Sequence, residues 1–510
     1  MEKMGLRCWI GSLFMVWGMG CSRGSGVALP HPALQAMEPF PDEGTALSRC
    51  ERWYGVSLQG VPAGFVHLRT SLHPTRVGPR RLTVRTEAVA FRRGEKQVRI
   101  QVEDRVLETV EGGLLRISHR ERQFPGEERR LEAGRTGADL VTVQGDEVRR
   151  QPFEPTALGP FGVDGHWLGG QTPVPGVPRF WRAYSVQAGG YARQRIEYRV
   201  LGGEAGGFWE TVHTDESQPG LWSLQVLDEQ GLAVESLSVM GFLRVRLERI
   251  GRPAAGADGA WDGPDLTPYL SVATHRPDLD RGRLERVRIR LEGWPEGVLA
   301  ARLAGPGQEV VFGGAPGQVL LDVRREGEAV GRVPFPPGPV PAELSIYLEP
   351  TQLAPAGDPA ILAKARDLTR GAGDAGEACR RLRRWVSEEI ASSLGLAMAS
   401  AAQTLARREG DCSEMAILLA TLSRAVGIPA RCVFGLVFDR GEFQRHMWTE
   451  VWLDRWRALD PAMRTDGLTA GWVRFGEIPL GLKERERAGS PVDEILTAPL
   501  RAIVEDAEMR

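Results

Sequence analysis

Between residues 51 and 350 apolar and polar positions alternate along the chain. Val98, Ile100 and Val102 are interleaved with Gln97, Arg99, Gln101 and Glu103, and the same period of two returns at Leu243/Val245/Leu247, Val287/Ile289/Leu291 and Leu344/Ile346/Leu348. That period predicts half-buried strands with Arg and Glu on the wet face. Turn-forming stretches such as Asp228-Glu229-Gln230-Gly231 separate the strands, which favours antiparallel meanders over βαβ units. Beyond Thr351 the period lengthens. Ala378, Leu382, Val386 and Ile390, with Trp385 beside them, fall on one stripe of a helix whose other face is Arg and Glu. A second, almost wholly apolar run from Met415 to Ala420 ends towards Gly427-Ile428-Pro429 and predicts a buried helix that begins near Cys412. Strands are expected over Ala430–Phe438 and Gln444–Leu453, with a turn at Asp439-Arg440-Gly441 and a third strand ending at Trp456-Arg457-Ala458-Leu459-Asp460-Pro461. The fold class is therefore multidomain α+β, with N-terminal antiparallel β domains followed by a C-terminal α+β domain.

Composition places the boundaries. A chain of 510 residues is too long for one core and predicts two to four domains. Residues 21–50 read as a tether, 51–250 as an antiparallel β region, and 251–265, GRPAAGADGAWDGPD, as a linker without hydrophobic period. Residues 266–350 read as a second β-rich domain closed by the proline run Pro334 to Pro341, 351–485 as the helix-containing domain, and 486–510 as a tail. Within the β region Tyr54-Gly55-Val56 leads to Gly60 and Gly64-Phe65, and Tyr198-Arg199-Val200 leads to Gly203 and Gly207-Phe208. The echo is either a duplicated half-barrel, similar to lipid- or ligand-holding carrier domains, or the ordinary recurrence of hairpin residues.

Charge and rare residues narrow the function. With 64 basic and 66 acidic side chains the net charge is −2, which argues against a nucleic-acid partner. Asparagine is absent from the sequence, so no N-glycosylation sequon exists and a Cys-His-Asn triad is excluded. Residues 1–20 have the layout of a signal peptide, with Lys3 and Arg7 before an apolar stretch from Cys8 to Met19. Cys21 follows Gly18-Met19-Gly20, which resembles a bacterial lipobox with Gly18 where Leu is usual. The expectation is export to the cell envelope or periplasm, with Cys21 as a lipidation site and a membrane partner through that anchor.

The chemistry gathers around Cys412. At the start of a helix the positive end of the dipole favours an anionic sulfur. A thiol nucleophile needs a base within reach, and the base needs a third group to fix its tautomer. His446 is the only histidine after residue 350, and adjacent strands could set Asp460 beside it.

The segments GDCSEMAILLATLSRAVGIPARCVFGLVF, HMWTEVWLD and RWRALDPAM resemble the transglutaminase-like superfamily, a papain-related cysteine fold, over roughly residues 355 to 480. The resemblance implies Cys412 as nucleophile, His446 as general base and acid, and Asp460 as orienter, with Gln403 a candidate oxyanion donor. It implies a protein or peptide substrate. Animal transglutaminases carry Gln before and Trp after the cysteine, whereas this chain has Asp411 and Ser413, so cross-linking does not follow. Asp411 either attracts a cationic amine or caps the helix. Trp448 and Glu450 share the face of His446 by alternation, as substrate-binding or supporting groups or, for Glu450, as a hydrated strand charge. Cys412 as a buried structural thiol is the bland alternative. Cys50, Cys379 and Cys432 cannot be paired by sequence. No cluster has metal-ligand spacing and no phosphate loop follows a strand, so no metal or other cofactor is expected. Two function classes follow: an envelope thiol acyl-transfer enzyme acting on amide or peptide carbonyls, hydrolase before cross-linker, or a non-catalytic envelope binding or assembly protein acting through its β domains.

Overall fold

The computed structural model describes residues 35–510 apart from 162–173, 201–208, 216–221, 254–262, 327–332, 393–398, 482–494 and shorter gaps. The expected leader and Cys21 lie outside the described residues. The chain divides into two compact units, residues 1–239 with 244–266, and residues 240–243 with 267–510.

The first unit is one antiparallel sheet of fourteen described strands, β1 (Ser48–Leu58) through β14 (Leu243–Ile250). Strands follow one another outward from β1 to β8 (Glu147–Pro152). The chain then starts the other edge at β9 (Arg179–Ser185) and meanders inward until β14 pairs with β1. The alternation at 98–102 belongs to β4 (Lys96–Thr109) and that at 243–247 to β14. Tyr54 and Tyr198 both open hairpins, β1 with β2 (Val61–His73) and β10 (Gly190–Val200) with β11 (Trp209–Asp215). Gly203, Gly207 and Phe208 lie outside the described residues. Neighbouring strands carry Arg85, Asp104 and His119 in one cross-strand row, and Glu87 and Glu121 in the next, all buried.

The tether ends earlier than composition predicts. Met37 is buried against Val141 and Val143, Phe40 packs on the Leu82 cluster under the guanidinium groups of Arg105 and Arg116, and β1 starts at Ser48. Two large apolar side chains eight to eleven residues before a strand were the signal that the Pro/Gly content hid. At the far end of the presumed linker the backbone of 264–266 bonds to Arg92.

In the second unit residues 266–350 do not form a domain of their own. β16 (Leu284–Glu292), β17 (Gln308–Gly313) and β18 (Gln318–Arg324) are completed by β26 (Arg501–Met509) from the expected tail, which pairs with β16. Val287, Ile289, Leu321, Val323 and Val504 belong to the same buried cluster as Ile417, Leu418, Phe434 and Met447. β15 (Ser271–Ala273) pairs with Glu442–Gln444. The alternation at 344/346/348 is a 3-10 helix over Ala342–Tyr347, not a strand. It follows the proline run, which supplies no N–H for a ladder, and it buries Leu344 and Tyr347 at i and i+3, the 3-10 period.

Four described helices follow: α1 (Pro359–Thr369), α2 (Ala375–Glu389), α3 (Ala401–Arg407) and α4 (Cys412–Ala425). The predicted stripe is on α2, with Ala378, Leu382 and Val386 buried. Short β19 (Ala391–Ser392) and β20 (Glu409–Gly410) pair in parallel just before α4. The α4 helix is buried along its length, and β21 (Ala430–Asp439), β22 (Glu442–Trp452), β23 (Trp456–Asp460), β24 (Thr465–Asp466) and β25 (Trp472–Ile478) form its sheet in the order β24-β23-β22-β21-β25. Arg440 and Gly441 both take positive φ in the two-residue turn joining β21 and β22, the geometry of a tight hairpin.

Candidate active site

Asp411 ends the β conformation and caps α4. Its Oδ1 accepts from Ser413 N at 2.8 Å and Glu414 N at 3.3 Å, while Glu414 returns Oε2 to Asp411 N at 2.9 Å, a closed capping box. Glu414 Oε1 also accepts from Ala399 N at 3.1 Å. A side chain at Gly410 would meet Glu414 Cβ at 2.8 Å, so glycine is what lets the box close. Cys412 is therefore the first residue of a helix whose start is fixed by several bonds, and it is half-buried. Burial, reinforced by the charge of Asp411, pushes Glu414 up to about 7; burial also raises Asp411, against its backbone donors.

His446 comes from β22. His446 Nε2 contacts Asp460 Oδ2 at 2.7 Å with both side chains buried. Cys412 is the second hydrogen-bond partner of the imidazole. Burial alone would pull the imidazole pKa down, but the charge and hydrogen bond of Asp460, joined by those of Cys412, push it up to about 10. Burial likewise opposes the charge of Asp460, yet His446, Met463 N and the Trp472 indole hold its carboxyl below the ordinary aspartate range. Met463 N donates to Oδ1 at 2.9 Å and Trp472 Nε1 to Oδ2 at 2.9 Å. The structure thus brings together the three residues expected from the sequence, and adds two donors that sequence reasoning missed. Nothing in a motif marks Trp472, twelve positions past Asp460 at the start of another strand.

Gly435 faces His446 across the β21–β22 ladder, where a Cβ would lie 1.9 Å from Val473 O and 3.0 Å from the Trp448 ring. Trp448 is fully buried with Val433, Val437, Ala458 and Trp472, its ring 6.3 Å from the imidazole. Its place is thus in a small apolar core beside His446. Glu450 is 2% exposed and binds Arg431, with Nε at 2.7 Å from Oε2. Arg431 also pairs with Glu477 and lies over the Trp456 ring at 3.9 Å. Glu450 is therefore a buried structural ion-pair partner rather than a hydrated charge, held on Oε2 by Arg431 and with Arg474 Nε 3.5 Å from Oε1. Gln403 sits at the third position of α3, where its Oε1 accepts from Ser400 N at 2.9 Å in a second capping box. Helix capping is the contact it makes; none to Cys412 is seen among the described residues. Cys50 is on β1, and Cys379 and Cys432 are buried on α2 and β21.

Residues 363–461 match the model of the transglutaminase-like superfamily. No curated protein matches the chain. Among solved structures, a "putative cysteine protease" from Cytophaga hutchinsonii is similar at 14% identity and a TM-score of 0.31, covering 45% of this chain and 91% of its own. A β-barrel-like protein of unknown function from Brucella abortus is similar at 10% identity and a TM-score of 0.28, covering 40% of this chain and 97% of its own. A "putative protease" from Parabacteroides distasonis follows at 12% identity and a TM-score of 0.20, covering 76% of this chain and 70% of its own. The C-terminal unit thus carries a transglutaminase-like domain.

Proposed function

We propose that this protein is an envelope thiol hydrolase that cleaves amide or peptide bonds through a Cys412 thioester. The observation that carries the reading is the His446 Nε2–Asp460 Oδ2 contact of 2.7 Å, with Cys412 as the other side chain that acts on the imidazole. The sulfur attacks the carbonyl carbon. His446 gives its proton to the departing amine as the C–N bond breaks, leaving a thioester and a neutral imidazole. That imidazole takes a proton from water, hydroxide displaces the sulfur, and the carboxylic acid leaves with Cys412 and His446 back in their starting state. A helix leaves the N–H of its first residue without an intrahelical partner, so the N–H of Cys412 itself is the proposed donor to the oxyanion.

Hydrolysis is favoured over amine transfer because Asp411 Oδ1 is engaged by Ser413 N and Glu414 N. A carboxylate committed to a cap is a poor lure for a cationic amine. The proposed substrate is a protein or peptide, and the proposed location is the envelope, with Cys21 lipidated. The test is mass spectrometry of a glutamine-containing peptide incubated with the full chain and excess primary amine. Cleavage or deamidation dependent on Cys412 is expected, and dominant amine adducts would overturn the hydrolase reading. Conversion of Cys21 to Ser should release the protein from membranes.

A further inference from the structure

Both donors that fix Asp460 end against one cation that lies outside the matched residues 363–461. Arg281 belongs to the 3-10 turn Arg281–Arg283 that precedes β16. Its guanidinium carbon sits 5.3 Å from the centroid of the Trp472 ring, and its Nη1 lies 3.2 Å from the Met463 sulfur. Trp472 and Met463 supply the N–H groups that hold Oδ2 and Oδ1 of Asp460.

The placement is built, not incidental. Arg281 Nη1 donates to Asp439 Oδ1 at 2.9 Å and to Phe438 O at 3.4 Å, so the cation is anchored to the end of β21. Thr469 Oγ1 donates to Arg281 O at 2.6 Å, and Ala470 N donates to Leu284 O at 3.2 Å. These bonds lace the turn to the segment just before β25. Gly471 lets the stem of Arg281 pass, since a Cβ there would sit 2.9 Å from its Cγ.

We propose that Arg281 is a positioning residue of the Cys412–His446–Asp460 triad, acting through Trp472 and Met463; the proposal rests on the triad reading above. A cation over an indole face is attracted by the ring quadrupole and holds the plane of the ring, so the N–H keeps its line to Asp460 Oδ2. Contact with the Met463 side chain holds the turn after Asp460, so the backbone N–H stays on Oδ1. With both oxygens fixed, the carboxylate keeps the imidazole oriented and charged. The residues between β15 and β16 thereby take part in the chemistry without touching it.

The experiment reads His446 through Cys412 and needs no natural substrate. The full chain is alkylated with iodoacetate across a range of pH, and modification is followed on the Cys412 peptide by mass spectrometry. Iodoacetate is an anion, so its rate at Cys412 falls when the neighbouring imidazolium loses its proton. The titratable groups facing that imidazole are Asp460, Cys412 and Asp411, and Asp439 faces Arg281. In Arg281→Met and in Trp472→Phe the alkaline limb should move down by about one pH unit, the scale of losing a specific charge or hydrogen-bond partner. Arg281→Lys, which keeps the cation, should restore most of the shift. Added to Trp472→Phe, the Arg281→Met change should produce a clearly smaller further shift than it does alone. If Arg281→Met or the milder Arg281→Lys lowers the melting temperature while the limb stays at the wild-type pH, the residue only supports the fold and the proposal is overturned. A wild-type Cys412 with no alkaline limb would instead overturn the triad reading, so the two failures are distinct.

Discussion

Among the described residues each unit holds one buried His–Asp pair at 2.7 Å, His119 Nδ1 with Asp104 Oδ1 in the first and His446 Nε2 with Asp460 Oδ2 in the second. In both, burial pulls the histidine pKa down and the carboxylate more than reverses it. The pairs differ in what surrounds them. Asp104 shares its other oxygen with Arg85 Nη1 at 3.2 Å, and His119 Nε2 looks towards a second carboxylate, Glu121, at 3.9 Å. Asp460 is held by an indole and a backbone N–H, and the second partner of His446 is a thiol at a helix start. A His–Asp pair is thus a way of burying a charged imidazole, and the third group decides whether it is chemistry. His119 lies between carboxylates in a buried ion network; His446 neighbours the Cys412 thiol, which we propose as the nucleophile.

The sharpest break of that comparison is removal of the third group. Cys412→Ala should abolish turnover, and His446→Ala should cost about a thousandfold or more, since nucleophile and base act as a unit. His119→Ala should leave turnover per folded molecule unchanged. Rates on a cleaved peptide, normalised to the folded fraction, check this, and full turnover in Cys412→Ala would refute the nucleophile assignment. Replacing the carboxylates separates the pairs next. Asp460→Ala should leave weak activity, down about a hundredfold, because the tautomer and orientation of the base are lost. Asp104→Ala should leave activity intact while destabilising the first unit by about 3–5 kcal/mol, the cost of stranding a buried cation, read by denaturant unfolding.

What could be read from the sequence divides along the same line. Cys412, His446 and Asp460 are legible because a glycine-started apolar helix and two alternating strands place them in order, and because one histidine serves the whole C-terminal part. The long alternating strands of the β region are legible for the same reason, since a period of two needs no tertiary information. Asp104 and His119 are not, because fifteen residues of hairpin separate them and alternation alone does not say which face is buried. Arg281 and Trp472 are hidden further, their meeting set by how 281–284 is laced to 469–472. The tail at 501–509 has too little apolar alternation to announce itself and becomes a strand because β16 offers a free edge. Glu450 misled because glutamate is usually exposed, and the cross-strand neighbour Arg431 together with Arg474 from β25 reverses that expectation.

A smaller effect concerns the acid at the start of α4. Glu414 has a folded pKa of about 7 against an ordinary 4.5, so the folded state binds its proton more tightly than the unfolded state. Its contribution to stability is fully present below pH 4.5 and is lost as pH rises through 7. Over that window the second unit should lose about 3 kcal/mol from this group. Glu414→Gln gives up one of the two accepted backbone bonds and lowers stability throughout, but it should flatten the slope between those pH values. Unfolding midpoints measured at pH 4.5, 6 and 7.5 would show this, and an unchanged slope in the variant would assign the dependence elsewhere.

The smallest expected effect falls on Gln403, and it separates a cap from an oxyanion donor. Its side-chain oxygen accepts from Ser400 N, and its backbone N–H donates to Ser400 Oγ at 3.4 Å. If that box is its work, Gln403→Ala should cost about 0.5–1 kcal/mol of stability, as lost caps do, and change kcat by less than about twofold. A donor to the oxyanion would instead cost about a hundredfold or more in kcat. The discriminating variant is Gln403→Glu, which preserves the accepting oxygen and the capping box but removes the carboxamide N–H and adds a negative charge. A cap residue should tolerate that change with stability and kcat near wild type. A residue that had been steadying a developing negative charge should lose more rate as Glu than as Ala, because a carboxylate would then face the oxyanion. Measuring kcat and unfolding midpoint for both variants therefore gives opposite rankings under the two roles, and the ranking expected is Glu close to wild type and Ala slightly below it.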